Sequence, residues 1–161
     1  MYPLSNLLLL ALMLVCLVLP GCSLLSQNTA SAPASVRTHK IVRTAYSQIG
    51  KKYRSGGASP QKGFDCSGLV WWSYSQHGIK VPRITADQAR AGRKVTKKAA
   101  RPGDILVFST SHSPRGLHTG IYAGNRKFIH SPSSGKNVCV ETLADNSWWS
   151  KKLVSIRRIG N

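Results

Sequence analysis

The chain predicts an α+β fold in which N-terminal helices pack on an antiparallel β-sheet. Apolar residues recur at helical spacing early in the folded region, at Ile41, Val42, Ala45 and Ile49, and short apolar or alternating runs separated by turns follow Arg101. Helices come first and strands follow without alternating, which predicts an antiparallel meander rather than βαβ units. Size agrees: 161 residues, 42% hydrophobic and 17% charged, make one domain with an apolar core and exclude a disordered polycation.

The elements follow in order. Leu7 to Leu19 is an unbroken apolar run of thirteen residues ending at Pro20-Gly21-Cys22. A span needs roughly 20 apolar residues, so the run reads as the core of an export signal over residues 1–21. Leu19-Pro20-Gly21-Cys22 resembles a bacterial lipobox, which implies cleavage before Cys22 and a lipid on that cysteine. Residues 22–36 have the small, polar composition of a flexible tether, and residues 37–161 are expected to form the domain. Its first helix should stop at Gly50. Tyr53 to Gly63, with Gly56, Gly57, Pro60 and Gly63, reads as loop. A second helix opens near Asp65-Cys66-Ser67-Gly68 and ends at His77-Gly78. Thr85-Ala86-Asp87-Gln88 has the pattern of a capping box opening a short third helix. The turn Arg101-Pro102-Gly103-Asp104 delivers strands at 105–108, 118–123, 127–130, 138–143 and 154–159.

Lys and Arg number 23 against 5 Asp and Glu, a formal charge of +18, and residues 1–21 carry none of it. An anionic partner is expected. The export signal argues against nucleic acid and toward carboxylates or phosphates of a cell envelope, with a merely solvated surface as the alternative.

Of four cysteines, Cys16 leaves with the signal and Cys22 takes the lipid. Cys139, in the alternating stretch Val138-Cys139-Val140, reads as a small buried hydrophobe, and a Cys66–Cys139 disulfide is the less favoured alternative. Cys66 stands in the first turn of a helix, where free amides and the helix dipole favour a thiolate, and is the candidate nucleophile. Such a thiol needs a base and a group that orients the base. His118 and His130 flank a turn at residues 123–126, and a regular hairpin centred on residue 124 places them directly opposite on one face. Cys66, His118 and His130 are the expected catalytic set. Ordinary strand histidines, or zinc ligands together with Cys66, remain the alternatives. His39, His77 and His112 receive no role.

In order, Tyr53 with Gly56-Gly57, Asp65-Cys66-Ser67-Gly68-Leu69-Val70, Pro82-Arg83, Arg101-Pro102-Gly103-Asp104, His118-Thr119-Gly120-Ile121-Tyr122 and Phe128-Ile129-His130-Ser131 resemble the motifs of the NlpC family of papain-like cell-wall peptidases. The resemblance spans about residues 40–160. It implies a papain-like fold and hydrolysis of a peptide bond in peptidoglycan, either the D-Ala–diaminopimelate cross-link or the γ-D-Glu–diaminopimelate stem bond. Cys66 then matches the nucleophile, His118 the base and His130 the third member, with Tyr53 at the oxyanion and Asp65 and Ser67 holding substrate. Ser55 and Thr119 depart from the family's usual aromatic and valine and are expected in or near the groove. No metal or organic cofactor is implied, since a thiol and two imidazoles suffice. The layout resembles small murein endopeptidase lipoproteins of Gram-negative bacteria. It implies a monomer whose partners are peptidoglycan stem peptides and, through Cys22, the periplasmic face of the outer membrane. The rival is an envelope lipoprotein that binds murein without cutting it.

Overall fold

A computed structural model describes residues 34–110 and 116–160. The expected signal, the lipidation site Cys22 and most of the expected tether lie outside the described residues, as does His112.

Helix α1 (Ala34–Tyr46) begins inside the expected tether and ends in turns closed by Gly50 at φ 85°. Ile41, Val42 and Ala45 are its buried face, whereas Ile49, expected beside them, lies past the helix end and is 46% exposed. The expected loop contains a two-stranded ribbon, β1 (Ala58–Ser59) with β2 (Gly63–Phe64). Helix α2 (Cys66–Ser75) follows, and Gly78 at φ 68° lies just beyond it. His77 Nε2 lies 2.9 Å from Thr44 Oγ1, which ties the end of α2 to α1.

Helix α3 (Thr85–Gln88) forms without the expected capping box: Ile84 is its N-cap and no side chain caps it. Gln88 is fully buried instead. Its amide donates to the carbonyls of Ser67, at 2.9 Å, and Pro82, at 2.8 Å, and its oxygen accepts from Thr119 Oγ1 at 3.0 Å. A buried amide must be satisfied, and here the satisfaction joins α2, α3 and the sheet. Thr119, expected in or near the groove, is an interior residue with no exposed surface, next to His118, which lines a cavity.

The sheet has six antiparallel strands. They are β3 (Arg93–Val95), β4 (Ile105–Ser109), β5 (Leu117–Gly124), β6 (Lys127–His130), β7 (Cys139–Thr142) and β8 (Leu153–Arg158), in the spatial order β3-β8-β4-β5-β6-β7. β3 and a five-residue helix α4 (Trp148–Lys152) were not expected. β4 is apolar from Ile105 to Phe108 because both its faces are covered there, and only Ser109 at its end is exposed. Ile105 and Val107 pack with Leu69, Val70 and Tyr74 of α2, and Leu106 and Phe108 pack with Phe128, Ile156 and Trp149 of α4. The α+β architecture is the expected one, with a second covered face added by α4. At the 101–104 turn, Asp104 accepts from Arg158 Nε and Nη2, both at 2.7 Å, which anchors β8 beside β4.

Candidate active site

Cys66 is the first residue of α2, and Asp65 is its N-cap, with Oδ1 accepting from Gly68 N at 2.6 Å. A short polar side chain in extended backbone before an apolar helix does this by local chemistry alone. The same carboxylate accepts both arms of Arg83, Nη1 to Oδ1 at 3.0 Å and Nη2 to Oδ2 at 2.8 Å. Arg83 also donates to Ser67 Oγ, at 3.0 Å, and to the Gly57 carbonyl, at 3.2 Å. That carbonyl also accepts from Asp65 N, and a Cβ on residue 68 would stand 2.0 Å from it. Only glycine at 68 lets the helix start so near the Gly57 loop. Asp65 and Ser67 flank Cys66, and their polar groups hold Arg83 and the first turn. Cys66 Sγ lies 3.7 Å from Thr85 Oγ1.

The imidazole pair forms, in a different register from the one expected. Ile121 opposes Ile129 and Tyr122 opposes Phe128, but Gly124 opposes Lys127. The extra residue at 123–124 is a bulge before a tight turn with positive φ at Asn125 and Arg126. Continued, this register sets Gly120, not His118, opposite His130. His118 is a diagonal neighbour on the same face, and the missing side chain at 120 lets the rings meet. His118 Nε2 lies 2.8 Å from His130 Nδ1, so Nδ1 is the nitrogen of His118 not engaged by the partner imidazole. Trp149 packs edge-on to His130, with ring centres 4.7 Å apart. Burial lowers His118 to about 4. It lowers His130 further, with His118 and Lys136 adding to the effect. Both rings are therefore neutral near pH 7.

Cys66, His118, His130 and Tyr53 line one open cavity of about 610 Å³ with Trp148, Trp149 and Cys139. A second hollow of about 550 Å³ shares Tyr53 and Cys66 and continues past Ser55, Asp65, Arg83 and Thr85. The thiol thus stands where two halves of a groove meet. Burial, with Cys66 and Asp65 nearby, raises the Tyr53 phenol. Cys139 departs from expectation: it is half-buried, lines the cavity, and its Sγ lies 3.6 Å from His130 Nε2. Both described cysteines are free thiols. Sequence reasoning quoted Arg83 only as part of a motif and missed Thr85 and Trp149 as site residues.

Helices on an antiparallel sheet, with a helix-start thiol and paired histidines lining one cavity, define the papain-like α+β class. The NlpC/P60 family profile matches residues 50–158, and the chain belongs to the NlpC/P60 family. It is 39% identical over 115 residues to murein DD-endopeptidase MepH of Escherichia coli, covering 70% of this chain and 42% of that one. It is 37% identical over 137 residues to gamma-DL-glutamyl hydrolase of Bacillus subtilis, covering 84% of this chain and 32% of that one. The chain thus spans well under half the length of these curated relatives. A crystal structure of an NlpC/P60 family protein from Bacillus cereus superposes with a TM-score of 0.69 at 29% identity, over 76% of this chain and 40% of that one.

Proposed function

We propose that the protein is a cysteine peptidase that hydrolyses a peptide bond of peptidoglycan. The observation that carries this reading is the thiol at a helix start sharing one open cavity with two hydrogen-bonded, neutral imidazoles. In this mechanism His118 Nδ1 takes the Cys66 proton while Nε2–H donates to His130 Nδ1. The thiolate attacks the scissile carbonyl carbon, and the carbonyl electrons move onto oxygen. The Cys66 N–H, free of any intrahelical acceptor at this position, and the Tyr53 hydroxyl hold that oxyanion. As the tetrahedral centre collapses, the C–N bond breaks and the His118 imidazolium protonates the leaving amine. Water, giving its proton to His118, then cleaves the thioester and restores the thiol.

The reading takes in two bonds, the D-Ala–diaminopimelate cross-link and the γ-D-Glu–diaminopimelate stem bond. The name murein DD-endopeptidase of one relative supports the first, and the name gamma-DL-glutamyl hydrolase of another supports a γ-glutamyl bond, as in the second. The deciding experiment is mass spectrometry of fragments released from purified sacculi by wild type and Cys66→Ala. Wild type alone should release peptides whose masses name the bond. Binding by both without cleavage by either would refute hydrolysis and leave murein binding.

Export and lipid attachment at Cys22 belong to the same proposal, supported by the apolar run that ends at Gly21-Cys22. Ser23 after the cysteine supports the periplasmic face of the outer membrane. Labelled palmitate should enter wild type and not Cys22→Ala, and equal labelling would refute the anchor. The net charge of +18 favours approach to a polymer bearing free carboxylates.

A further inference from the structure

Strand register gathers a second set of donor groups behind the imidazole pair. His130 on β6 opposes Cys139 on β7, and residues two apart in a strand share a face, so Glu141 stands beside Cys139. A nitrogen of His130, Cys139 Sγ and a Glu141 carboxylate oxygen all lie within 4.8 Å of one another. His130 Nδ1 is engaged by His118, and Nε2 is the nitrogen that faces Cys139, at 3.6 Å.

Imidazole, thiolate and carboxylate together suit Zn²⁺, which takes such ligands tetrahedrally at about 2.0–2.3 Å, a geometry that sets ligand atoms roughly 3.5 Å apart. The Cys139–His130 spacing already matches. Glu141, on a flexible side chain, needs to close by about 1 Å or a little more to complete that geometry. Thiolate and carboxylate neutralise the ion, which outweighs the single positive charge of Lys136 on the same cavity wall. All three residues line the open cavity, which provides an entry path and leaves the fourth position to water.

We propose that His130, Cys139 and Glu141 form an inhibitory zinc site behind the catalytic pair. The site itself stands on geometry; its inhibitory effect rests on the peptidase reading. In the active arrangement His130 carries its proton on Nε2 and accepts at Nδ1 from His118. Zn²⁺ binds the Cys139 sulfur, whose proton passes to solvent, and takes the lone pair of His130 Nε2. The His130 proton then sits on Nδ1 and donates to His118 Nε2, which moves the His118 proton to Nδ1. Neither imidazole gains or loses a proton, yet the nitrogen needed by Cys66 no longer has a free lone pair. The metal thus stops proton transfer without touching the nucleophile.

The test uses the full chain and Co²⁺ as a spectroscopic stand-in for Zn²⁺. The Cys66→Ala protein should show a thiolate-to-cobalt charge-transfer band that is lost in Cys66→Ala/Cys139→Ser and weakened in Cys66→Ala/Glu141→Gln. In sacculus digestion, Zn²⁺ should inhibit wild type, and Glu141→Gln should raise the half-inhibiting concentration about tenfold or more at an unchanged metal-free rate. A band that survives loss of Cys139, no band in Cys66→Ala, or equal zinc sensitivity of wild type and Glu141→Gln would overturn the site. The band needs no substrate, so its absence counts against the metal site alone. A normal band with no digestion by metal-free wild type counts against the peptidase reading.

Discussion

Replacing Gly120 by alanine asks whether the imidazole pair depends on a missing side chain. A methyl group at 120 would stand 2.9 Å from the Ile129 carbonyl oxygen, 2.9 Å from Phe128 Cδ2 and 3.2 Å from His130 Cβ. The carbonyl is backbone of a paired strand, and Phe128 is fully buried against Phe108 and Trp149. Neither can swing aside, so β5 and β6 must part by about half an ångström to reach ordinary contact distances. Overpacking of this kind costs about 1–3 kcal/mol. The displacement falls on His130 and through it on the 2.8 Å bond to His118. Misplacement of about 1 Å at a reacting group costs about 10²-fold in rate, so a half-ångström shift should lower kcat about tenfold, with KM little changed. Urea melts and initial rates of muropeptide release measure both effects on one preparation. A Gly120→Ala protein as stable and as fast as wild type would show that the register does not position the pair.

Tyr53→Phe removes the hydroxyl proposed to hold the oxyanion and should lower kcat about 10²–10³-fold with an unchanged urea midpoint; wild-type rates would remove Tyr53 from the mechanism. Asp104→Asn leaves the Arg158 guanidinium, 9% exposed, without its charge partner. It should cost about 3–5 kcal/mol in a denaturant melt, and a loss below about 1 kcal/mol would mean the pair behaves as a surface one. Stability should also fall in acid. Burial keeps His118 and His130 neutral in the folded chain, while the unfolded chain takes up protons near pH 6.5. Below that pH each histidine destabilises the fold by up to about 1.4 kcal/mol per pH unit, and for His118 the fall ends near its folded value of about 4. A His130→Asn protein should show a shallower decline, and identical pH slopes would contradict the burial argument.

What the sequence made legible follows the range of the interaction that decides each feature. Cys66 was legible because its position depends on neighbours: Asp65 caps, Gly68 permits close approach, and apolar residues follow. The histidine pair was legible as a pair but not in register, because the bulge at residues 123–124, with Gly124 at φ 89°, is followed by a turn whose two central residues, both at positive φ, are Asn125 and Arg126. Arginine does not announce such a turn as glycine does. Thr85 and Gln88 fit a local capping pattern, yet Gln88 makes hydrogen bonds to two distant segments, at Ser67 and Thr119, besides one to nearby Pro82, and tertiary satisfaction outweighed the local option. β3 was hidden because Arg93 and Lys94 are exposed on an edge strand, where charge blocks further pairing. α4 is too short to show a period.

Cys139 shows the limit most clearly. Alternation in Val138-Cys139-Val140 says that one side of a strand is covered, and Val138 is indeed buried. It does not say whether the other side faces protein, water or a cavity, since that depends on strands and helices brought there by the rest of the chain. The pairing of β6 with β7 turns a residue that reads as core into a thiol beside the His130 imidazole. Chemistry carried by neighbours in sequence can be read from the chain. Chemistry carried by neighbours across a sheet waits on the register, and in this protein both the histidine pair and the donor set behind it are of the second kind.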